Sequence, residues 1–263
     1  KDLKQIAFEK ASIIKQGGTV FAYLPDKEIF NVVNSLAESR NASICRLNSE
    51  FQVAQIERSR GSQTFDFYDK KTQLKRLKLG LIGQFQAQNA GLAIAACLKF
   101  LGGSKESEIR KGLEAVHWEG RLEVVSDSPT VVLDCAHNVA SVRNMTSEVR
   151  KNIDFDRCFV ILGLMKDKEI DNIIEILSQF GDLFFLVQVN PERGETTEKL
   201  KEKLNIYKKR IQVSESVSDA LQAAKKFAKP KDLVCITGSI YTVAEAKKCF
   251  QHEKNLTNPG SAP

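Results

Sequence analysis

Long apolar runs are missing from this sequence: none approaches the roughly 18 residues that a membrane span requires. The six cysteines, Cys45, Cys97, Cys135, Cys158, Cys235 and Cys249, form no CxxC pair and no zinc-like spacing. Most stand in apolar stretches such as Ala95-Ala96-Cys97 and Val234-Cys235-Ile236, a pattern of reduced, buried thiols in a cytoplasmic protein and not of a disulfide framework. Of the three histidines, His117 and His252 have no metal-ligating neighbours, so His117 reads as structural and His252 as solvent-exposed. No basic stripe studded with aromatics is present to grip nucleic acid, and there is no internal repeat. A GxxxxGK[ST] phosphate loop is also absent, since Gly102-Gly103-Ser104-Lys105 lacks the spacing. The sequence begins at Lys1, without an initiator Met, and no stretch of it reads as a signal peptide. It opens in what reads as the middle of an amphipathic helix, which suggests a fragment.

What remains is ample for folding. Hydrophobic residues make up 42% and charged residues 27% of 263 positions, enough for one large or two modest domains with real cores. The net charge of +6 is spread among acidic residues, which implies a solvated surface with mild steering of anions.

Along the chain, residues 2–15 carry helical spacing that ends at Gly17-Gly18. A short β run follows at 19–24, then a helix from Pro25-Asp26 to about Leu36 and a strand at 42–47. Segments 63–68 and 74–81 alternate with period 2 around Asp69-Lys70-Lys71-Thr72 and resemble a hairpin. An Ala-rich helix from Phe85 to Phe100 closes at Gly102-Gly103, and Ser104 is set to cap one more helix. His117-Trp118-Glu119-Gly120-Arg121 interrupts the pattern, so the domain boundary is placed there: 1–118, then 119–250, then a flexible tail over 251–263.

In the second part, apolar strands at 131–133, 158–162, 183–189 and 233–236, with a weaker one at 211–213, alternate with helical patterns. These helices fall at about 140–151, 167–179, 195–204, 216–228 and 239–249. That alternation predicts an α/β fold with a mostly parallel sheet covered on both faces, which binds ligands where loops leave the carboxyl ends of its strands.

Those loops contain the candidates. In Asp134-Cys135-Ala136-His137-Asn138, Asp134 and Asn138 either cap the next helix or Asp134 accepts from a sugar hydroxyl while His137 faces an anionic or reacting group. Thr237-Gly238-Ser239 is either an ordinary Ser N-cap or a backbone cradle for a carboxylate. Arg121, beside a hinge-like Gly, is either a surface cation or a bidentate phosphate clamp. Asn89, near the start of the Ala-rich helix, is either a polar surface residue or a reader of an adenine edge.

Taken in order, these segments resemble the folylpolyglutamate/dihydrofolate synthase branch of the Mur-type ligases. Residues 6–15, Ile-Ala-Phe-Glu-Lys-Ala-Ser-Ile-Ile-Lys, are similar to the family's "IA-x-EKAGIIK" helix, and 83–89 to its Gln and Asn before a long Ala-rich helix. Trp118-Glu119-Gly120-Arg121-Leu122-Glu123 is close to "WPGRLE", and residues 134–138 are close to "DGAHN". Residues 163–167 lie where a "G-x-x-x-DKD" loop falls, and Thr237-Gly238-Ser239-Ile240-Tyr241 is similar to "TGSLY". Cys135 in place of Gly, Val139 in place of Pro, and the missing Pro beside Trp118 are departures, as is the loop Asn190-Pro191-Glu192-Arg193-Gly194.

The resemblance implies the remainder of a central ATPase domain, without its N-terminal phosphate loop, followed by a Rossmann-like ligase domain. It implies ATP and magnesium, with L-glutamate and a folate or dihydropteroate as substrates, in a monomeric cytoplasmic enzyme. Asn89 would contact adenine, Arg121 the phosphates and Asp134 the ribose. Lys10 would correspond to a lysine that can be carbamylated in relatives and, only in that form, would support magnesium, while His137 and Ser239 would lie near the glutamate and acyl-phosphate end. The chain alone would then be inactive. Two other readings stay open: a short non-catalytic relative that binds a ligand or partner, and a Mur ligase acting on a peptidoglycan precursor.

Overall fold

A computed structural model describes residues 2–59, 62–102 and 105–257. The first segment forms helix α1 (Leu3–Ala11), strand β1 (Thr19–Ala22), helix α2 (Lys27–Ser39) and strand β2 (Ser43–Arg46). Both helices begin where the sequence supplies an acceptor for orphaned N–H groups. Asp2 accepts from the Gln5 N–H at 2.7 Å, and Asp26 accepts from those of Glu28 and Ile29 at 2.8 and 2.9 Å. α1 is shorter than the 2–15 spacing predicts: after Ala11 the backbone tightens into turns, with the Ile14 N–H on the Ala11 carbonyl and the Gly18 N–H on that of Lys15, and Gly17 stands at φ +66°. β1 and β2 pair in parallel.

Strands β3 (Phe51–Ser59), β4 (Ser62–Asp69) and β5 (Gln73–Leu79) form an antiparallel sheet in that order. β4 and β5 are the expected hairpin, its turn closed by Asp69 accepting from the Lys71 and Thr72 N–H groups. β3 escapes the pattern reading because its register shifts between Ala54 and Glu57, with Gln55 at φ +52°, which breaks the alternation of faces. Helix α3 (Gln84–Leu101) lies over this sheet and buries Ala87, Ala90 and Ile94 with Phe65, Phe67, Leu74 and Leu77. Gly91 permits the close approach: a Cβ there would meet Val53 Cγ2 at 2.4 Å. Helix α4 (Glu106–Ala115) packs on β5; its N-cap position is Lys105, and the Ser104 expected there lies outside the described residues. Cys97 is exposed, against expectation, because Ala95 is the last buried residue of α3.

The remaining elements are β6 (Glu123–Asp127), β7 (Thr130–Leu133), α5 (Val139–Asn152), β8 (Cys158–Leu162), α6 (Ile170–Ser178), β9 (Leu183–Leu186), α7 (Thr197–Asn205), β10 (Arg210–Val213), α8 (Val217–Phe227), β11 (Leu233–Thr237) and α9 (Ile240–Thr257). Their strands form one sheet in the order β10-β9-β8-β11-β7-β6, parallel except for β6 against β7. β8 and β11 are buried at every position, which is why they read as unbroken apolar runs. β6 is a half-buried edge strand with a register shift, so neither period nor apolarity announces it. α9 continues past the expected end near 249 to Thr257, because no Gly or Pro interrupts its residues; the tail beyond, 258–263, lies outside the described residues.

By contact, the chain divides into two units, Lys1–His117 and Trp118–Pro263. In the second, α5, α6 and α7 pack side by side on one face, while α8 and α9 pack together on the other. β7 and β8 therefore send the chain to one face, and β11, which lies between them, sends it to the other. The carboxyl end of β11 is the switch point at which such sheets open a crevice. Among the described residues, no helix is long and apolar enough to cross a membrane.

Candidate functional site

The loops that leave β7, β8 and β11 are bonded to one another. The Asp134 N–H donates to the Ile236 carbonyl at 3.0 Å, the Gly238 N–H to Ala136 at 3.0 Å, and the Thr242 hydroxyl to Gly163 at 3.0 Å. Gly238, at φ +104°, is required here: a Cβ would stand 2.6 Å from the Gly163 carbonyl oxygen. Gly163 has the matching constraint, since its Cβ would meet Thr242 Oγ1 at 2.7 Å. The three strand ends thus form one close-packed platform.

Arg121 is presented on a turn pinned to that platform. Gly120 (φ +65°) and Leu122 (φ +47°) flank it, both left-handed. The Gly120 carbonyl accepts from the Cys135 N–H at 2.9 Å, and the Leu122 N–H donates to Asp134 Oδ2 at 2.9 Å. The Leu122 side chain is buried, which offsets the strain of a non-glycine residue in this region. Arg121 is half-buried, and its guanidinium makes no hydrogen bond or ion pair with the described residues. It is close enough to Asp134 to favour that carboxylate's charge.

Asp134 is put to a more immediate use than a ribose contact. It is 4% exposed, and its two oxygens accept from the Leu122 and Ala136 N–H groups at 2.9 and 2.8 Å. Burial pushes its carboxyl up from the ordinary range, opposed by these two donors and by Arg121. Each oxygen retains a second lone pair, so a hydroxyl ligand is still compatible with it. Asn138, not Asp134, caps α5, accepting from the Ser141 N–H at 2.9 Å.

His137 is half-buried, with Nδ1 2.8 Å from the Cys135 carbonyl. A carbonyl only accepts, so Nδ1 carries the hydrogen, and Nε2 is left to accept when neutral or to donate to an anion when protonated. Ser239 is 2% exposed; its hydroxyl accepts from the Thr242 N–H at 3.1 Å and bonds Thr242 Oγ1 at 2.7 Å. That is the N-cap alternative. The backbone of Gly238 and Ser239 is the part of this loop open to a cradling role.

Arg121, Asp134, His137 and Ser239 therefore come together in the second unit. Lys10 and Asn89 belong to the first. Lys10 is exposed in the last turn of α1, and Asn89 is exposed on α3, where its Nδ2 donates to Gln86 Oε1 at 3.3 Å. Among the described residues no group of three or more His, Cys, Asp or Glu side chains is placed to hold a metal, so no ligand set gathers around Lys10. A groove of about 770 Å³ between α5 and α6, lined by Arg143, Arg150, Glu175 and Phe180, contains none of the six candidates. Pattern reading also missed Lys247 of α9, which bridges Glu119 and Glu123 on either side of Arg121. The pairing is tertiary and leaves no signal in local spacing.

Residues 120–240 match the Mur ligase glutamate ligase domain family. The chain is 27% identical over 250 residues to the dihydrofolate synthase/folylpolyglutamate synthase of Bacillus subtilis, covering 94% of this chain and 58% of that protein. It superimposes on Mycobacterium tuberculosis folylpolyglutamate synthase complexed with ADP with a TM-score of 0.87 at 26% identity, covering 100% of this chain and 60% of that one. A structure of the E. coli enzyme in complex with DHPP and ADP gives 0.85 at 27% identity, over 97% of this chain and 58% of the other. The chain thus spans a little under two thirds of the length of the relatives it matches. With six motifs in family order, a glutamate ligase domain over 120–240 and the fold of these enzymes throughout, the chain belongs to the folylpolyglutamate/dihydrofolate synthase family of Mur-type ligases.

Proposed function

We propose that this chain handles ATP and glutamate in a ligase that joins L-glutamate to the carboxylate of a folate or dihydropteroate. The observation that carries this reading is Arg121: a half-buried guanidinium, uncommitted among the described residues, on a turn fixed by Asp134 and Cys135 at the switch point of a parallel sheet. A relative of the same fold is complexed with ADP, and the matched family is named for glutamate ligation.

In this chemistry the terminal phosphoryl group of ATP passes to a carboxylate oxygen, giving an acyl phosphate and ADP. The glutamate amine attacks the acyl carbon and loses a proton, and the tetrahedral oxyanion collapses with release of phosphate. Such transfers depend on positioning and charge neutralisation more than on covalent help. Magnesium, when bound, supplies part of that neutralisation. Arg121 takes the phosphates, and Asp134 holds the Arg121 turn and offers its remaining lone pairs to a ribose hydroxyl. Protonated His137 donates Nε2–H to an anionic group, and Ser239 sets the Gly238 backbone. Asn89 reads adenine, and Lys10, if carbamylated, supports magnesium. Because the 263 residues contain no GxxxxGK[ST] loop, we expect them to bind nucleotide without turning over by themselves.

Calorimetric titration with ATP tests this reading. Arg121→Ala is expected to weaken binding by about tenfold or more, the worth of a charge-assisted contact, while the thermal midpoint stays within about 2 °C. Equal affinities for ATP in the two proteins would remove the central support.

A further inference from the structure

Lys247 stands on α9 one helical turn beyond Val243, and both residues face the Arg121 turn. Val243 closes on Gly120 so tightly that a Cβ on the glycine would meet Val243 Cγ1 at 3.0 Å. Lys247 Nζ lies 2.5 Å from Glu119 Oε1 and 3.1 Å from Glu123 Oε1. Glu123 Oε2 in turn accepts from the Gly120 N–H at 2.7 Å. One ammonium therefore ties together the residues immediately before and after the Gly120-Arg121-Leu122 turn. The Lys247 and Glu123 side chains are only 16% and 12% exposed, so this pairing is less screened than a surface ion pair.

The charge balance gives the arrangement its consequence. Two carboxylates and one guanidinium lie within a five-residue stretch, Glu119, Arg121 and Glu123, so the arginine competes with Lys247 for the same acidic partners. With Lys247 in place, the carboxylates already have a cation, and the Arg121 guanidinium stays outside that network. We propose that Lys247 is a positioning residue: by holding Glu119 and Glu123 it keeps the turn in its left-handed form and leaves Arg121 free for an anion, the nucleotide phosphates on the reading above. Lys247 does not itself touch the ligand.

The test uses the whole chain, with ATP titration and amide hydrogen exchange on the same proteins. Lys247→Met is expected to weaken ATP binding about tenfold and to speed exchange at the Gly120 and Leu122 amides by about the same factor. Val160 and Cys235 in the central strands should be unchanged, which separates a displaced turn from general destabilisation. Lys247→Arg should restore both readouts to within about twofold. Should the methionine variant not fold, Lys247→Gln, which keeps hydrogen bonding to Glu123 but no charge, decides by the same readouts. Unchanged ATP affinity and unchanged exchange at Gly120 and Leu122 in the neutral variant would overturn the proposal. Failure of the unsubstituted chain to bind ATP would instead overturn the nucleotide reading itself and the phosphate role with it, before any substitution is compared.

Discussion

Every residue of β8 and β11 in the second unit is buried, whereas β1 and β2 in the first bury none of theirs fully. Both units expose some large apolar side chains, Leu3, Ile13 and Phe100 in the first and Trp118, Ile206 and Ile240 in the second, so the difference lies in these strands and not in surface apolarity. The difference bears on the candidate residues. A sheet covered on both faces gives its strand-end loops a rigid floor, and there Asp134, His137 and Ser239 each have a defined orientation through named hydrogen bonds. Lys10 and Asn89 lie on exposed helix surfaces, where side-chain direction is set by little beyond the helix itself. Burial on both sides of a strand, and not residue type, separates an oriented group from a merely present one.

The sharpest way to break this contrast is Gly238→Ala. A Cβ placed 2.6 Å from the Gly163 carbonyl at φ +104° should cost about 2–4 kcal/mol and open the β8 and β11 loops together. Urea titration followed at second-unit probes should show the loss, with first-unit probes unaffected; a shift in both would deny the units their separate stabilities.

Asp232 tests the opposite, amino-terminal end of the same sheet. It is 1% exposed and bonded to Arg157 at 2.6 and 3.2 Å and to the Lys229 N–H at 2.7 Å. Burial would raise its carboxyl, but these partners outweigh burial and hold it below the ordinary value. A depressed acid stabilises the fold above the unfolded value near 3.9 and loses that contribution as pH falls through its folded value. Asp232→Asn should therefore cost about 1–3 kcal/mol at pH 7, reduced because Arg157 is partly exposed, and less at an acidic pH at which the carboxyl is protonated in the folded state as well. Urea midpoints at the two pH values decide; an equal cost at both would assign the effect to packing instead of charge.

The smallest effect belongs to the first unit. Ile13→Ser should change stability by less than about 0.5 kcal/mol, because the side chain is already 82% exposed. A larger loss in thermal melts would mean that this surface is covered in solution.

Much of the second unit was legible because doubly buried parallel strands write themselves as apolar runs, and the loops after them follow at once. β6 was not, since a half-buried edge strand carries neither signal, and the bulge in β3 hid that strand's alternation. In the site, the residue types at 121, 134 and 137 were readable, but their partners were not. That Asp134 spends both oxygens on backbone N–H groups, and that Lys247 reaches Glu123 across 124 positions, are facts of tertiary packing. Nothing in local spacing foretells a left-handed Leu122.

The most direct measurement is amide chemical-shift mapping of the chain during ATP titration. The account predicts saturable shifts concentrated at Arg121, the 134–138 loop and Gly238. Shifts confined to the groove between α5 and α6, or none at saturating ATP, would contradict it.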